Sequence, residues 1–140
     1  MDTPKQLLDH VLVPVANEAD ARETAAAVKE IEPAHVTALY IVEKADGSID
    51  PVPQQYLKED GENALRVFDE VFPGADHELT YADNLVERIY SVAADIDATA
   101  IAYRSRGGSR FVRLISGDHA LKLIKDPPIP VISLPQAKPE

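Results

Sequence analysis

The chain has 140 residues, 45% of them hydrophobic, which is enough for one domain with one core and too few for two domains of ordinary size. It has no cysteine, which excludes disulfides, iron–sulfur clusters and thiolate zinc sites, and its four histidines show no close ligand spacing. The N-terminal residues lack the basic start and apolar run typical of a signal peptide, and no apolar run approaches the roughly 20 residues of a membrane span, so we expect a soluble, cytoplasmic protein.

The net charge is −10, from 24 acidic and 14 basic residues. This excess disfavours general binding to nucleic acid, because the mean field of the protein repels phosphate. An acidic surface also keeps a protein soluble at high ionic strength, where charge repulsion is screened. We therefore expect a halophilic source.

Five short apolar runs predict β-strands. Four of them are rich in β-branched residues and typical of buried parallel strands. The fifth alternates in polarity, as expected of a strand that is covered on only one face or lies at a sheet edge. In chain order the runs are His10–Val15, Val36–Val42, His77–Tyr81 (the alternating one), Thr99–Tyr103 and Pro130–Leu134.

Helical patterns lie between these runs, each with one apolar face. The first has Ala21, Ala25, Val28 and Ile31, the second runs from Leu57 to Phe72, the third from Leu85 to Ala93, and the last from Phe111 to Ile124. Asp83 is predicted to cap the third helix, and Asp126-Pro127-Pro128 to end the last. The alternation predicts a single α/β domain over 1–140, with a five-stranded parallel sheet and helices on both faces.

One long segment, Glu43–Pro53, is rich in Gly, Asp and Pro and predicts irregular structure. It is either a flap over a site or a plain surface connection.

Four of the seven arginines lie in one ten-residue window around Gly107-Gly108, namely Arg104, Arg106, Arg110 and Arg113. Glycine allows a ligand to approach the backbone, and arginine donates in a fork suited to phosphate or carboxylate. A parallel sheet binds ligands beyond its carboxyl ends where the strand order reverses. The loops expected there are Ala16-Asn17-Glu18 and Arg104–Gly117, although the window also fits a solvated basic loop.

The sequence resembles the universal stress protein family nearly end to end. The resemblance is carried by HVLVPVANEADA, by VTALYIVE and by the stretch from Ile101 to Pro135. It implies strand order 3-2-1-4-5, a dimer formed through the C-terminal strand, and a late glycine motif of the kind that the ATP-binding branch uses. Gly107 and Gly117 reproduce the second and third glycines of that motif, with nine residues between them.

The chain departs from the motif at three positions. Arg104 stands where the first glycine belongs, Asp118 where Ser or Thr belongs, and Ala16 where the ATP-binding branch has aspartate. Asp118 either only caps the last helix, repelling phosphate, or holds Mg²⁺ beside a ligand phosphate. Arg104 either binds phosphate, with Arg106, Arg110 and Arg113 adding positive charge, or pairs with Asp118 and closes the pocket.

Four further residues complete the predicted ligand site. The resemblance implies that Ile41 and Val42 line the adenine, although such residues are core in any sheet. Asn17 either bonds to the ligand in place of the missing aspartate or caps the first helix. Tyr103 either stacks on a base or packs under the loop. The predicted set is therefore Ala16, Asn17, Ile41, Val42, Tyr103, Arg104, Arg106, Gly107, Gly108, Arg110, Gly117 and Asp118.

No catalytic constellation occurs in the sequence, so we expect a non-enzymatic protein, with slow ATP hydrolysis left open. The leading hypothesis is a dimeric stress protein that binds ATP, AMP or another phosphorylated small molecule. The alternative is a nucleotide-free interaction scaffold of the same family. The apolar edge strand formed by Pro130, Val131, Ile132, Ser133 and Leu134 is predicted to pair with a second subunit.

Overall fold

The computed structural model describes residues 6–43, 54–104 and 122–135. Five strands and three helices lie in these ranges, and residues 122–125 are also helical. The strands are β1 (Val11–Pro14), β2 (Val36–Glu43), β3 (Asp76–Ala82), β4 (Ala100–Tyr103) and β5 (Val131–Ser133). The helices are α1 (Glu18–Ile31), α2 (Gln54–Val71) and α3 (Leu85–Asp95).

The strands form one parallel sheet of order β3-β2-β1-β4-β5, which confirms the predicted fold. Val11 of β1 lies opposite both Val36 of β2 and Ala100 of β4, so β1 is at the centre. The chain builds outward from β1 to β3, then returns across the sheet to add β4 and β5. The strand order therefore reverses between β1 and β4.

The sheet buries both of its faces, because alternate strand residues point to opposite sides. Val11 and Val13 pack on one side with α1 and α2, in a core that includes Phe68. Leu12 and Ile101 pack on the other side with α3 and Leu123, the latter from the helical residues 122–125. Burial on both sides is why β1, β2 and β4 have nearly continuous apolar sequences.

The helix ends confirm one predicted cap and correct another. The Asn17 side chain caps α1, since its Oδ1 accepts a hydrogen bond from the Asp20 N–H at 2.8 Å. Asp83 does not cap α3. Asn84 does, accepting from the Glu87 N–H at 3.1 Å, because a cap side chain reaches the amide three residues further on. The helical residues 122–125 end at Lys125, as the Asp126-Pro127-Pro128 sequence predicts.

The two edge strands differ in exposure. β3 lies at one edge of the sheet, as predicted, and is exposed over the three consecutive residues Asp76, His77 and Glu78 rather than at alternate ones. Among the described strands, β5 forms the opposite edge and pairs with β4, with Ser133 exposed and Val131 and Ile132 partly buried. In the part of the chain that the structure describes, no helix is long and apolar enough to cross a membrane. The single domain over 1–140 stays a prediction.

Candidate functional site

The candidate site lies where β1 and β4 end side by side at the carboxyl edge of the sheet. Val15 and Ala16 follow β1 and lead into α1, while Arg104 follows β4 directly. The chain diverges here, because β1 connects toward β2 and β4 connects toward β5. This is the crevice in which an open parallel sheet offers backbone and side-chain groups to a ligand.

The first turns of α1 carry a buried carboxylate that organises the loop after β1. Asp20 Oδ2 accepts a hydrogen bond from the Ala16 N–H at 2.8 Å. Its other oxygen, Oδ1, accepts from the Thr24 hydroxyl at 3.2 Å. Because Asn17 in turn accepts from the Asp20 N–H, the loop and the first turns of the helix hold each other in place.

Arg104 extends its side chain from the end of β4 onto the same face of α1. Its Nη2 donates to Asp20 Oδ1 at 3.1 Å and to Glu23 Oε2 at 2.6 Å, and its Nε lies 3.4 Å from the Thr24 hydroxyl oxygen. Only 3% of the Arg104 side chain is exposed. A charge at that depth is stable only with charged, hydrogen-bonding partners, which the two carboxylates supply.

These four residues form a cluster, Asp20–Glu23–Thr24–Arg104, that ties α1 to the end of β4. Among its described members, two carboxylates face one guanidinium. Its Arg104 charge is therefore balanced from within the protein. Arg104 is predicted from the sequence, whereas Asp20, Glu23 and Thr24 are not. Asp20 and Thr24 nevertheless share the buried face of α1 with Ala21 and Ala25, where they stand out as polar residues on an apolar stripe.

The model of the universal stress protein family matches residues 8–135. The chain belongs to the universal stress protein family. This confirms the resemblance carried by the first and second strands and the C-terminal stretch. No curated protein matches the sequence.

Three solved structures of universal stress proteins share this fold over nearly their whole length. One from Archaeoglobus fulgidus in complex with dAMP is 18% identical, with 93% of this chain and 100% of that one covered and a TM-score of 0.63. UspA from Lactobacillus plantarum is 22% identical, with coverages of 91% and 98% and a TM-score of 0.63. A universal stress protein in complex with cAMP is 12% identical, with coverages of 94% and 100% and a TM-score of 0.57.

In this universal stress protein, five other residues of the predicted ligand site belong to the described part of the chain. They lie around the crevice. Ala16 and Asn17 are partly exposed in the loop after β1, and Asn17 is the α1 cap. Ile41 and Tyr103 are both 4% exposed and belong to the core on the α3 side. Val42 is buried one residue before the end of β2.

The remaining predicted residues fall outside the described ranges. They are Arg106, Gly107, Gly108, Arg110, Gly117 and Asp118. Residues 44–53 of the predicted flap are also outside these ranges, so the structure says nothing of its position. Among the residues that are described, no group of three or more His, Asp or Glu side chains could hold a metal ion.

A second concave region occurs at the same carboxyl edge, beyond β3. It is a shallow cavity of about 310 Å³ lined by Ala82, Asp83, Asn84, Glu87, Arg88 and Ser91. Its polar side chains are those at the start of α3, and β2 lies between the strand that ends at this cavity, β3, and β1. It is distinct from the crevice beside Arg104.

The opposite, amino-terminal edge of the sheet holds a histidine pair that sequence spacing does not reveal. The rings of His10 and His35 stack with centroids 4.2 Å apart and planes 8° from parallel. His10 Nε2 lies 2.8 Å from Thr37 Oγ1, and His35 Nε2 lies 2.6 Å from Asp76 Oδ2. Burial, and then the neighbouring His35, lower the pKa of His10 below its usual value.

Proposed function

We propose that this universal stress protein binds an adenine nucleotide, AMP or ATP, or another phosphorylated small molecule at the carboxyl edge between β1 and β4. The observation that carries the proposal is the reversal of strand order at this point, with the cation of Arg104 beside it. Two relatives of the same fold are described in complex with dAMP and with cAMP, which supports a nucleotide as the ligand.

The proposal divides the work among three groups of residues. The loop after β1, with Ala16 and Asn17, contacts the nucleoside. The base lies against backbone atoms of Ile41, Val42 and Tyr103, whose side chains are buried. The glycine motif contacts the phosphates through backbone N–H groups, which suit an anion. On sequence alone this last group consists of Arg104, Arg106, Gly107, Gly108, Arg110 and Gly117.

We also propose that Asp118 assists through Mg²⁺, since this cation commonly joins one or two carboxylates to ligand phosphates. In that case EDTA lowers the affinity for ATP and added Mg²⁺ restores it. An affinity for ATP that EDTA leaves unchanged would remove Mg²⁺ from the proposal.

The biological setting is proposed from sequence as well. The protein acts in stress response as a binding protein rather than an enzyme, in the cytoplasm of a halophilic organism, as a homodimer through Pro130–Leu134. The net charge of −10 supports the salt-rich setting, and the edge position of β5 supports the pairing.

One observation favours a second function, that of a nucleotide-free dimeric scaffold. Arg104 Nη2 donates hydrogen bonds to both Asp20 and Glu23, and the Arg104 side chain is almost fully buried. A scaffold of this kind keeps the family fold and uses the cluster as a permanent link between α1 and β4.

Two measurements on the purified protein separate the two functions. Small molecules released by denaturing freshly purified protein are identified by mass spectrometry, and AMP and ATP are titrated into the emptied protein by calorimetry in high salt. Nucleotide near one per subunit, with saturable rebinding, supports the binding protein. A protein that is purified without nucleotide and binds neither AMP nor ATP in the titrations supports the scaffold.

A further inference from the structure

Helices α1 and α3 begin in the same way, and the difference between them singles out Asp20. Each starts after an asparagine cap, and the third residue of each is an acid whose N–H donates to that cap, Asp20 in α1 and Glu87 in α3. Glu87 is exposed, whereas the Asp20 side chain is only 6% exposed. Capping therefore does not explain why Asp20 is buried, because Asn17 and Asn84 already supply the caps.

The Asp20 carboxylate bridges the chain that follows β1 and the residue that follows β4. Its Oδ2 accepts a hydrogen bond from the Ala16 N–H at 2.8 Å, and its Oδ1 accepts one from Arg104 Nη2 at 3.1 Å. The ladder between β1 and β4 pairs the first two residues of each strand. Asp20 thus links the two chains beyond their carboxyl ends, beside the crevice in which the ligand is proposed to bind.

Both residues of the loop that is proposed to contact the nucleoside are bonded to Asp20. Ala16 donates its N–H to the Asp20 side chain, and the Asn17 side chain accepts from the Asp20 N–H. The ion pair with Arg104 and the hydroxyl of Thr24 hold the carboxylate that makes the first of these bonds. The position of the loop therefore depends on one buried residue.

We infer that Asp20 is a positioning residue of the ligand site, which holds the loop after β1 against the end of β4 before any ligand binds. This inference rests on the proposed function and states how the site is kept ready for its ligand. A loop that is already in place loses less conformational freedom on binding, so more of the contact energy appears as affinity. Asp20 raises the affinity in this way without contacting the ligand itself.

Asp20→Asn separates the two ends of the bridge. An ionised carboxylate accepts on both oxygens, whereas an amide of the same size has one acceptor and one NH₂ donor. It cannot accept from the Ala16 N–H on one side and from Arg104 on the other. Because the bond to the cation is the stronger, the amide oxygen turns toward Arg104 and its NH₂ group faces the Ala16 N–H.

The matched control is Glu87→Gln, which makes the same change at the corresponding position of α3. It removes one negative charge from the first turn of a helix, as Asp20→Asn does, and it lies away from the crevice. An effect of net charge or of the helix dipole would appear in both variants.

The first measurement is hydrogen exchange of backbone amides in the full-length, ligand-free proteins, followed by NMR. The Ala16 amide is compared with that of Val11, which donates to His35 O at the opposite edge of the sheet. A general loss of stability speeds both amides, whereas a released loop speeds only Ala16. We expect the ratio of the Ala16 rate to the Val11 rate to rise about tenfold in Asp20→Asn and to stay unchanged in Glu87→Gln.

The second measurement is the titration of AMP into the same three proteins by calorimetry. We expect Asp20→Asn to bind AMP about fivefold more weakly than the wild type, the size of one net hydrogen bond, and Glu87→Gln to match the wild type. Removing a negative charge beside Arg104 would by itself strengthen the binding of an anion. A weaker affinity therefore reports the loop and not the charge.

Either of two results would overturn the inference alone. One is an exchange ratio that is the same in Asp20→Asn and the wild type, and the other is an Asp20→Asn protein that binds AMP as tightly as the wild type or more tightly. If Asp20→Asn does not fold, the wild type decides: added AMP should slow exchange at Ala16 no more than at Val11, and a larger gain at Ala16 would mean that the ligand orders the loop. If the wild type binds no AMP, the proposed function fails and this inference fails with it.

Discussion

Arg104 is the residue that the sequence resemblance aligns with the first glycine of the family motif. Its side chain is accommodated by α1, where Asp20, Glu23 and Thr24 receive it. A glycine at this position would have no side chain and would need no such partners on α1. The substitution and the acidic residues of α1 therefore belong together and should be changed together.

This pairing predicts a rescue in stability. Arg104→Met should lower the free energy of unfolding by about 3 kcal/mol, because it removes the Arg104 cation from the buried Asp20 carboxylate. Adding Asp20→Asn to Arg104→Met should recover about 1 kcal/mol or more, since an amide is cheaper to bury than a carboxylate that has lost this ion pair. Urea denaturation of the three proteins tests this. A double variant that is less stable than Arg104→Met would contradict it.

The histidine pair at the other edge predicts a dependence of stability on pH. Because burial and His35 lower the pKa of His10 in the folded protein, the unfolded chain takes up a proton near 6.5 while the folded protein resists it. The contribution of His10 is thus fully present above pH 6.5 and is lost as the pH falls below it. Asp76 and Asp97 oppose this effect without reversing it.

His10→Gln should therefore flatten the fall in stability between pH 7 and pH 5. The comparison is between the slopes of the unfolding free energy against pH, because the substitution also removes the stacking on His35. Equal slopes in the variant and the wild type would show that protonation of His10 is not linked to folding.

At the scale of elements, α2 packs on the sheet through a glycine. Gly61 is buried in the middle of α2, and a Cβ atom there would lie 2.5 Å from Tyr40 Cδ1 and 2.9 Å from Leu79 Cδ1. The glycine allows the helix to approach β2 and β3 closely. Helix propensity alone would favour alanine by about 1 kcal/mol, so packing and propensity oppose each other here.

We expect packing to prevail at Gly61. Gly61→Ala should lower the free energy of unfolding by about 2 kcal/mol, as overpacked core positions do. Arg66→Ala, at an exposed position of the same helix, should change it by less than about 0.5 kcal/mol. A Gly61→Ala protein as stable as the wild type in chemical denaturation would mean that Tyr40 moves aside at little cost.

Most of the element order could be predicted from the sequence, and the reasons are local. Each of these patterns, namely the apolar runs of β1, β2 and β4 and the apolar face of α1, is contained in a short stretch of sequence. The cap of α3 was misassigned by one residue, because Asp83 and Asn84 are both good caps and only the start of the helix distinguishes them.

The contacts of the candidate site could not be predicted in the same way. Arg104 and Asp20 are 84 residues apart, and nothing local indicates that they meet. His10 and His35 come together only because β1 and β2 are neighbours in parallel register. The location of the site followed from strand order, whereas the partners of its arginine depend on packing between α1 and β4.

At the scale of the whole molecule, the free edge of β5 is where a second subunit is proposed to pair. The Ile101 N–H donates to Pro130 O and the Leu134 N–H donates to Tyr103 O, so Pro130, Ile132 and Leu134 turn their backbone groups toward β4. By the alternation of a β-ladder, Val131 and Ser133 turn theirs outward. The Ser133 N–H is therefore available to another chain.

Ser133→Pro tests the proposed dimer without breaking the β4–β5 ladder. Proline removes the outward N–H of Ser133, and edge strands tolerate it. We expect light scattering in high salt to give a dimer mass for the wild type and for Ser133→Ala, and a monomer mass for Ser133→Pro. A wild-type monomer, or a Ser133→Pro protein that stays fully dimeric, would contradict pairing through β5.

The central claim concerns the whole molecule, namely that its ligand site lies at the carboxyl edge between β1 and β4. Titration of AMP into isotope-labelled protein, followed through backbone amide NMR signals, tests that location most directly. We predict saturable shifts at Ala16, Asn17 and Arg104, with the amides of His10, His35 and Thr99 at the opposite edge unmoved. Shifts confined to another surface, such as the cavity beside α3, or no shifts at millimolar AMP would contradict the claim.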